Sequence, residues 1–336
     1  MQKLEITVVG AGIFGLWQAF ELARRGHTVT LREAMPEAES GGSSRFAGAM
    51  LAPYCEAEAA EHVVMRLGLE GLELWKAAFP HVTQKGSLVV AGARDLPELR
   101  RFARMTQGHR DVDQIEIGEM EPDLAGRFAR GLYFPTEAHV STRGALAALI
   151  AELRRLGANL VFGDPVADPI WLAAPAGGVV IDCRGIAARA DLRDLRGVRG
   201  EMAVVRATDV HLQRPVRLLH PRFPLYIVPW GEDRYMIGAT VIEREDFGAV
   251  TLRSALDLLG TAYAVHPAFG EAEILELSAG VRPAFPDNVP KIVVQGRRLM
   301  VNGAYRHGYL MAPALARIAA DLLETGDRHP DVVVDA

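Results

Sequence analysis

Gly10-Ala11-Gly12-Ile13-Phe14-Gly15 lies between an apolar, β-branched run, Leu4 to Val9, and a stretch of helical periodicity, Phe14 to Arg25. That placement leaves few folds open. Gly26 and a second extended run, Thr28 to Arg32, complete one βαβ unit. In such a unit Gly10 permits the tight turn, Gly12 lets backbone N–H groups approach a pyrophosphate at the positive helix end, and Gly15 lets the helix sit close on the sheet. Glu33 closes the second strand about twenty residues after the turn, where an acid can take two ribose hydroxyls. An acid rather than Arg or Ser disfavours a 2′-phosphate, and with it NADP. NAD and FAD both remain compatible with this unit.

The rest of the chain alternates strands and helices without a fixed period, which argues against a solenoid. Helices are expected over Leu67 to Phe79, Leu96 to Met105, from Ser141 or Thr142 to about Arg155, and over Thr251 to Val265. Strands are expected at Gly86 to Ala91, Gly131 to Pro135 and Ala158 to Phe162. Val179 to Cys183 is apolar but for Asp182 and ends in Arg184-Gly185, as suits a buried parallel strand whose carboxyl end reaches a ligand. From Met202 to Val241 the pattern is mostly extended. Leu225 to Pro229 and Tyr235 to Thr240, joined at Gly231-Glu232-Asp233, predict a hairpin of an antiparallel sheet. A last strand, Leu299 to Asn302, leads through Gly303 to Gly308 into a closing helix of about Met311 to Leu323, with a surface tail after Gly326.

At 336 residues the chain has room for two domains, because single cores seldom grow much beyond roughly 250 residues. A composition 49% hydrophobic and 24% charged is that of an ordinary globular protein, and a formal charge of −5 gives no basic footprint for nucleic acid. Cys55 and Cys183 stand far apart, so neither a disulfide framework nor a zinc site has anything to be built from. No other metal-ligand cluster recommends itself. Met1 to Glu5 leads straight into the first strand, leaving no room for a leader, and stretches such as Ala145 to Leu153 stop well short of the ~20 apolar residues that span a bilayer. The expectation is a cytoplasmic protein without a transmembrane segment.

Three further segments join the glycine turn: Gly42-Ser43-Ser44-Arg45-Phe46-Ala47-Gly48-Ala49-Met50-Leu51-Ala52-Pro53, Ala279-Gly280-Val281-Arg282-Pro283 with Pro286-Asp287, and Asn302-Gly303-Ala304-Tyr305-Arg306-His307-Gly308. In these segments, which span nearly the whole chain in order, the sequence resembles the D-amino-acid oxidase and glycine oxidase family of flavoproteins. The resemblance implies FAD as cofactor and an α/β fold in which a Rossmann-type FAD-binding domain carries an inserted antiparallel-sheet substrate domain. The FAD-binding domain is expected to be discontinuous, over 1–50, 140–200 and 275–336, with the substrate domain over 51–139 and 201–274. Cofactor contacts are implied at Gly10, Gly12, Ile13, Phe14, Gly15, Glu33, Ser43, Ser44, Ala49, Met50, Val166, Arg184, Gly185, Gly303, Arg306, His307, Gly308, Tyr309 and Leu310. Arg45 and Phe46 depart from the small residues often found beside the Ser-Ser pair.

Oxidising a small amino acid to its imine requires anchoring a carboxylate, presenting a neutral amine and aiming the α-hydrogen at the flavin. The resemblance places the carboxylate-binding arginine at Arg282, whose planar fork suits a bidentate contact. It gives Tyr226 as the hydroxyl partner and Arg306 as a second carboxylate ligand or a backbone-carbonyl ligand. Arg282 and Arg306 are expected to approach from the FAD-domain side, with Tyr226 on the inserted sheet. The N-terminus of the closing helix, near Gly308 to Leu310, directs partial positive charge toward the ring. His139, His220 and His307 read as loop or core residues, and no catalytic base is named, since hydride transfer from a neutral amine needs orientation and desolvation more than a base.

The implied reaction is oxidative deamination of glycine or another small amino acid, with oxygen reduced to hydrogen peroxide, in bacteria for the thiazole part of thiamine. Three alternatives stay open. One is a dehydrogenase passing electrons to a quinone or protein carrier. Another is an oxidase of sarcosine, D-proline or another secondary amine, because Ala304 and His307 stand where related glycine oxidases commonly carry His and Asn. The last is a non-enzymatic FAD-binding module. A homo-oligomer is implied at the level of the family.

Overall fold

The computed structural model describes residues 3–164, 177–222 and 224–336. Its first sheet has seven strands in the order Val333–Asp335, Lys291–Gln295, Arg298–Asn302, Val179–Asp182, Glu5–Val9, Thr28–Glu33 and Asn159–Phe162. All neighbours run parallel except the hairpin of Lys291–Gln295 with Arg298–Asn302. Glu5–Val9 and Val179–Asp182 take the centre, and Ile6, Val8, Val9 and Val179 to Ile181 are buried there, as near-continuous apolar character in a parallel sheet requires. Trp17 of the helix Ile13–Arg24 sits edge-on to Phe20, Trp75 and Phe79, with ring centroids 5.3, 4.7 and 5.7 Å away. The helix His62–Ala78 lies against the closing helix Gly308–Thr325 because Gly71 has no side chain: a Cβ there would collide with the carbonyl of Leu310. One turn on, Trp75 Nε1 donates to Tyr309 O at 2.7 Å.

The second sheet has eight strands, ordered Glu273–Ala284, Arg196–Arg206, Arg234–Gly238, Leu225–Gly231, Val216–Leu219, Ser87–Ala91, Arg130–Phe134 and Arg110–Asp113. It is antiparallel except where Val216–Leu219 runs parallel to Ser87–Ala91. Its two longest strands, of 11 and 12 residues, pair from Arg196↔Ala284 to Arg206↔Glu273. The later strands of this sheet therefore run from 196 to 284. Arg282 accordingly stands on an edge strand of this sheet and not, as expected, on the side of the parallel one. The cause is the segment Arg196–Arg206, where buried charge at Arg199 and Glu201 interrupts the apolar pattern that marks a strand.

Two other expectations change. The tail after Gly326 is no surface segment throughout, because Val332 and Val333 are buried and Val333–Asp335 extends the parallel sheet. The closing helix starts at Gly308, three residues before the expected Met311, its first turns disguised by that glycine and by Pro313 inside the helix. No described helix is long and apolar enough to cross a membrane.

Candidate active site

The strands Glu5–Val9, Val179–Asp182 and Arg298–Asn302 end at one edge of the parallel sheet, where open α/β sheets bind ligands. The turn after the first is set by Gly10, whose φ of +99° few side chains tolerate and whose N–H donates to Arg32 O at 2.8 Å. A Cβ on Gly10 would lie 2.6 Å from Cys183 O, and one on Gly15 would collide with the carbonyl of Gly10. Gly12 differs. It is the extended N-cap of Ile13–Arg24 with no side-chain cap, and a Cβ there would meet nothing nearer than Ser44 Oγ at 3.5 Å. The positive helix end thus opens on a cleft, with Ile13 N–H donating to Ser44 Oγ at 3.1 Å. Glu33 Oε2 accepts from Ala11 N at 2.6 Å and Oε1 from Met35 N at 3.0 Å, which fixes the carboxylate beside the turn.

This cleft is lined by Gly10, Gly12, Ile13, Phe14, Glu33, Ser43, Ser44, Arg184 and Gly185 among others. The guanidinium of Arg184 is committed elsewhere, donating to Asp182 through Nε at 3.0 Å and to Asp191 through Nη2 at 2.7 Å. Gly15 and Gly303 line neither cavity: Gly303, with φ +81°, lies so close to Phe285 that a Cβ would collide with its ring. Val166 lies outside the described residues. An uncapped helix start, a glycine cradle that a side chain would fill and an acid closing the second strand are the features a dinucleotide requires, and these residues fit one.

Through Ile13, Ser43, Ser44, Phe46, Gly280 and Ala304 the cleft continues into an inner cavity between the two sheets. Ala49, Met50, Tyr226, Arg282, Arg306, Gly308, Tyr309 and Leu310 all line it, so the segments singled out in the sequence converge here. Tyr226 lies on Leu225–Gly231 and Arg282 on Glu273–Ala284, with two strands between them. Those intervening strands present glycines: Gly238 lies opposite Tyr226 and Gly200 opposite Gly280. The space so left is taken by neighbouring side chains, with Met236 and Tyr226 over Gly238 and Arg282 over Gly200. A Cβ on Gly200 would collide with the Arg282 guanidinium, and one on Gly48 would lie 2.5 Å from Tyr226 Cε2.

Arg282 Nη1 donates to Thr240 O at 3.1 Å, and the guanidinium pairs with no carboxylate among the described residues. Burial pushes its pKa down, partly opposed by Tyr226, although an arginine so placed stays charged. Arg306 differs. Its Nη2 lies 3.4 Å from Glu56 Oε1, and that carboxylate raises its pKa. Glu56 also lies 3.2 Å from His307 Nδ1 and 3.9 Å from Arg217 Nη1. Burial alone would raise the Glu56 pKa, but Arg306, His307 and Arg217 together hold it far below the usual carboxylate range. Glu56 lines the cavity and was not foreseen from the sequence; its one local signal is that it follows Pro53 by three residues. His307 is buried behind the cavity as N-cap of the closing helix, without a side-chain cap bond.

A glycine turn at the carboxyl edge of a parallel sheet, opening into a cavity with an unneutralised guanidinium, defines an enzyme that works through a bound dinucleotide. The chain belongs to the DAO family of FAD dependent oxidoreductases, which matches residues 5–322. It is an FAD-dependent oxidoreductase. The chain is 50% identical, over 98% of its own length and 99% of the relative's, to a protein of Rhizobium etli named as the thiamine biosynthesis oxidoreductase ThiO. It is 28% identical to a glycine oxidase of Geobacillus kaustophilus, covering 96% and 93% of the two chains. The crystal structure of glycine oxidase from Geobacillus kaustophilus superposes with a TM-score of 0.80 at 25% identity, over 98% and 96% of the chains.

Proposed function

We propose that this protein oxidises glycine, or another amino acid about as small, to the imine, with oxygen as electron acceptor and hydrogen peroxide as product, to supply the thiazole moiety of thiamine. The observation that carries the reading is the Arg282 guanidinium, unpaired with any described carboxylate, in a cavity it shares with Tyr226 and that runs into the cofactor cleft. The likeness to the Rhizobium etli protein along nearly the whole of both chains supports it.

When bound, FAD supplies the two-electron acceptor. Gly10, Gly12, Ile13, Phe14, Glu33, Arg184 and Gly185 would hold its ADP half, Arg184 and Gly185 through backbone, with Gly15 letting the helix approach the turn. Ser43, Ser44, Ala49, Met50, Gly303 and Arg306 to Leu310 would hold or abut the half nearer the inner cavity. Arg282 binds the substrate carboxylate through two parallel hydrogen bonds, and the Tyr226 hydroxyl completes the anchor. With the carboxylate fixed, rotation of the substrate is confined and its α-hydrogen can be aimed toward the cleft that the cavity joins. Leu310, Met50 and Ala49 exclude water from the far wall. The uncapped first turn of Gly308–Thr325 adds partial positive charge at the same wall. The assignment of the parallel sheet to an FAD-binding domain and of the eight-stranded sheet to a substrate domain belongs to this proposal, as do a cytoplasmic location and a homo-oligomeric state.

A second reading, oxidation of sarcosine or another secondary amine, is favoured by Ala304, which lines both cavities and is small enough to leave room for an N-substituent. Purified yellow protein assayed for peroxide with glycine, sarcosine, D-alanine and D-proline decides between them. Turnover with glycine first is expected. Bleaching of the flavin without oxygen uptake would instead indicate a quinone or protein acceptor, and silence with all four would discard the small-amino-acid reading.

A further inference from the structure

Two guanidinium groups line the inner cavity, and they are not equivalent. Arg282 faces it without a carboxylate partner, whereas Arg306 shares Glu56 with His307 and Arg217. Glu56 is itself part of the cavity wall. Its position is fixed from below. The short helix Pro53–Glu56 is pinned by buried Glu137, whose Oε1 accepts from Tyr54 N at 3.1 Å and from Cys55 N at 2.8 Å. Glu56 N bonds in turn to Ala52 O at 3.0 Å. The guanidinium groups of Arg306 and Arg217, with the contact from His307, hold the carboxylate in its charged form.

Resting on the reading of Arg282 as the carboxylate receptor, we infer that Glu56 determines specificity by making this cavity a receptor for one acid group and not two. It engages Arg306, leaving a single unneutralised guanidinium, and sets a fixed negative charge where a second acid group of the substrate would reach. The substrate class is thereby narrowed to amines with one carboxylate and an uncharged side chain or N-substituent. Dicarboxylic amino acids and N-carboxymethyl amines such as iminodiacetate are rejected by like-charge repulsion. A merely structural Glu56 would hold Arg306 and His307 in place without discriminating between acids.

Calorimetric titration of the FAD-loaded protein with two non-reacting acids, acetate and malonate, separates these possibilities without relying on turnover. Wild type should bind malonate no more tightly than acetate. Glu56→Gln should shift the malonate-to-acetate affinity ratio at least tenfold toward malonate, because Arg306 is released as a second anion receptor, while Glu56→Asp should keep the wild-type ratio. Equal weakening of both acids in Glu56→Gln, with the ratio unchanged, would overturn the inference and leave the Arg282 reading intact. Failure of wild type to bind acetate would overturn both. Should Glu56→Gln fail to fold, Arg306→Gln, which leaves the Glu56 charge in place, should sharpen discrimination against malonate, and an unchanged ratio there overturns the inference equally.

Discussion

Arg282 depends on a residue that has no side chain at all. Gly200 leaves the volume its guanidinium fills, and Val198, two residues earlier on the same strand, pairs with Arg282 across the sheet. Gly200→Ala is expected to push the fork out of line with its substrate. The KM for glycine should rise roughly tenfold or more, the cost of spoiling a two-bond contact. Affinity for FAD should hardly change, because Gly200 lines only the inner cavity. Steady-state kinetics beside a flavin-release titration checks both halves. Equal loss of FAD would mean that the alanine had disturbed the sheet rather than the guanidinium.

The smallest element of the fold carries opposing titrations. The two-stranded ribbon of Met50–Leu51 with Ala138–His139 holds His139 and directly follows Glu137, both deeply buried. Burial pushes His139 down to about 4, and it pushes Glu137 up to about 7 despite the backbone N–H of Cys55. Between pH 4 and 6.5 the unfolded chain protonates His139 while the native chain does not, so stability falls as pH drops through that window. Between pH 4.5 and 7 the native chain keeps the Glu137 proton and the unfolded chain has lost it, so stability falls as pH rises. Each slope is on the order of 1.4 kcal/mol per pH unit, and over the shared window they oppose each other. His139→Phe should therefore expose a stability that declines from pH 4.5 to 7, and Glu137→Gln one that declines from pH 6.5 to 4. Urea unfolding of the three proteins across this range measures the slopes; parallel curves would refute the assignment.

Across the whole molecule, the cofactor cleft sits where segments from both sheets meet, with Glu33 on one side and Val281 and Pro283 on the other. Occupancy by FAD should therefore stabilise both sheets together. At a hundredfold excess over Kd the gain is about 2.7 kcal/mol. A single melting transition that moves up with added FAD is expected, and two transitions of which only one moves would argue against shared stabilisation. The same geometry explains what could be read in advance. The glycine turn and Glu33 lie within one βαβ unit, so spacing alone reveals them. Glu56 acquires its role from Arg306, 250 residues along the chain, and no local pattern carries that. The strand Arg196–Arg206 was legible only from Met202, because Arg199 and Glu201 satisfy each other in the interior at 2.7 Å and so break its alternation. The helix Gln114–Met120 has a local signal in the sequence, since Asp113 and Glu116 form a capping box at its start.

Arg199 and Gly200 are consecutive on one strand and so point to opposite faces of the sheet. Arg199 grips the carbonyls of Asp246, Gly248 and Ala249 at 2.7 to 2.8 Å, which tethers the loop whose Phe247 stands at the mouth of the cleft. Gly200 makes way for the fork of Arg282 on the other side. The doorway of the nucleotide and the seat of the acid are thus geared to the same few ångströms of backbone, and neither can drift without carrying the other along.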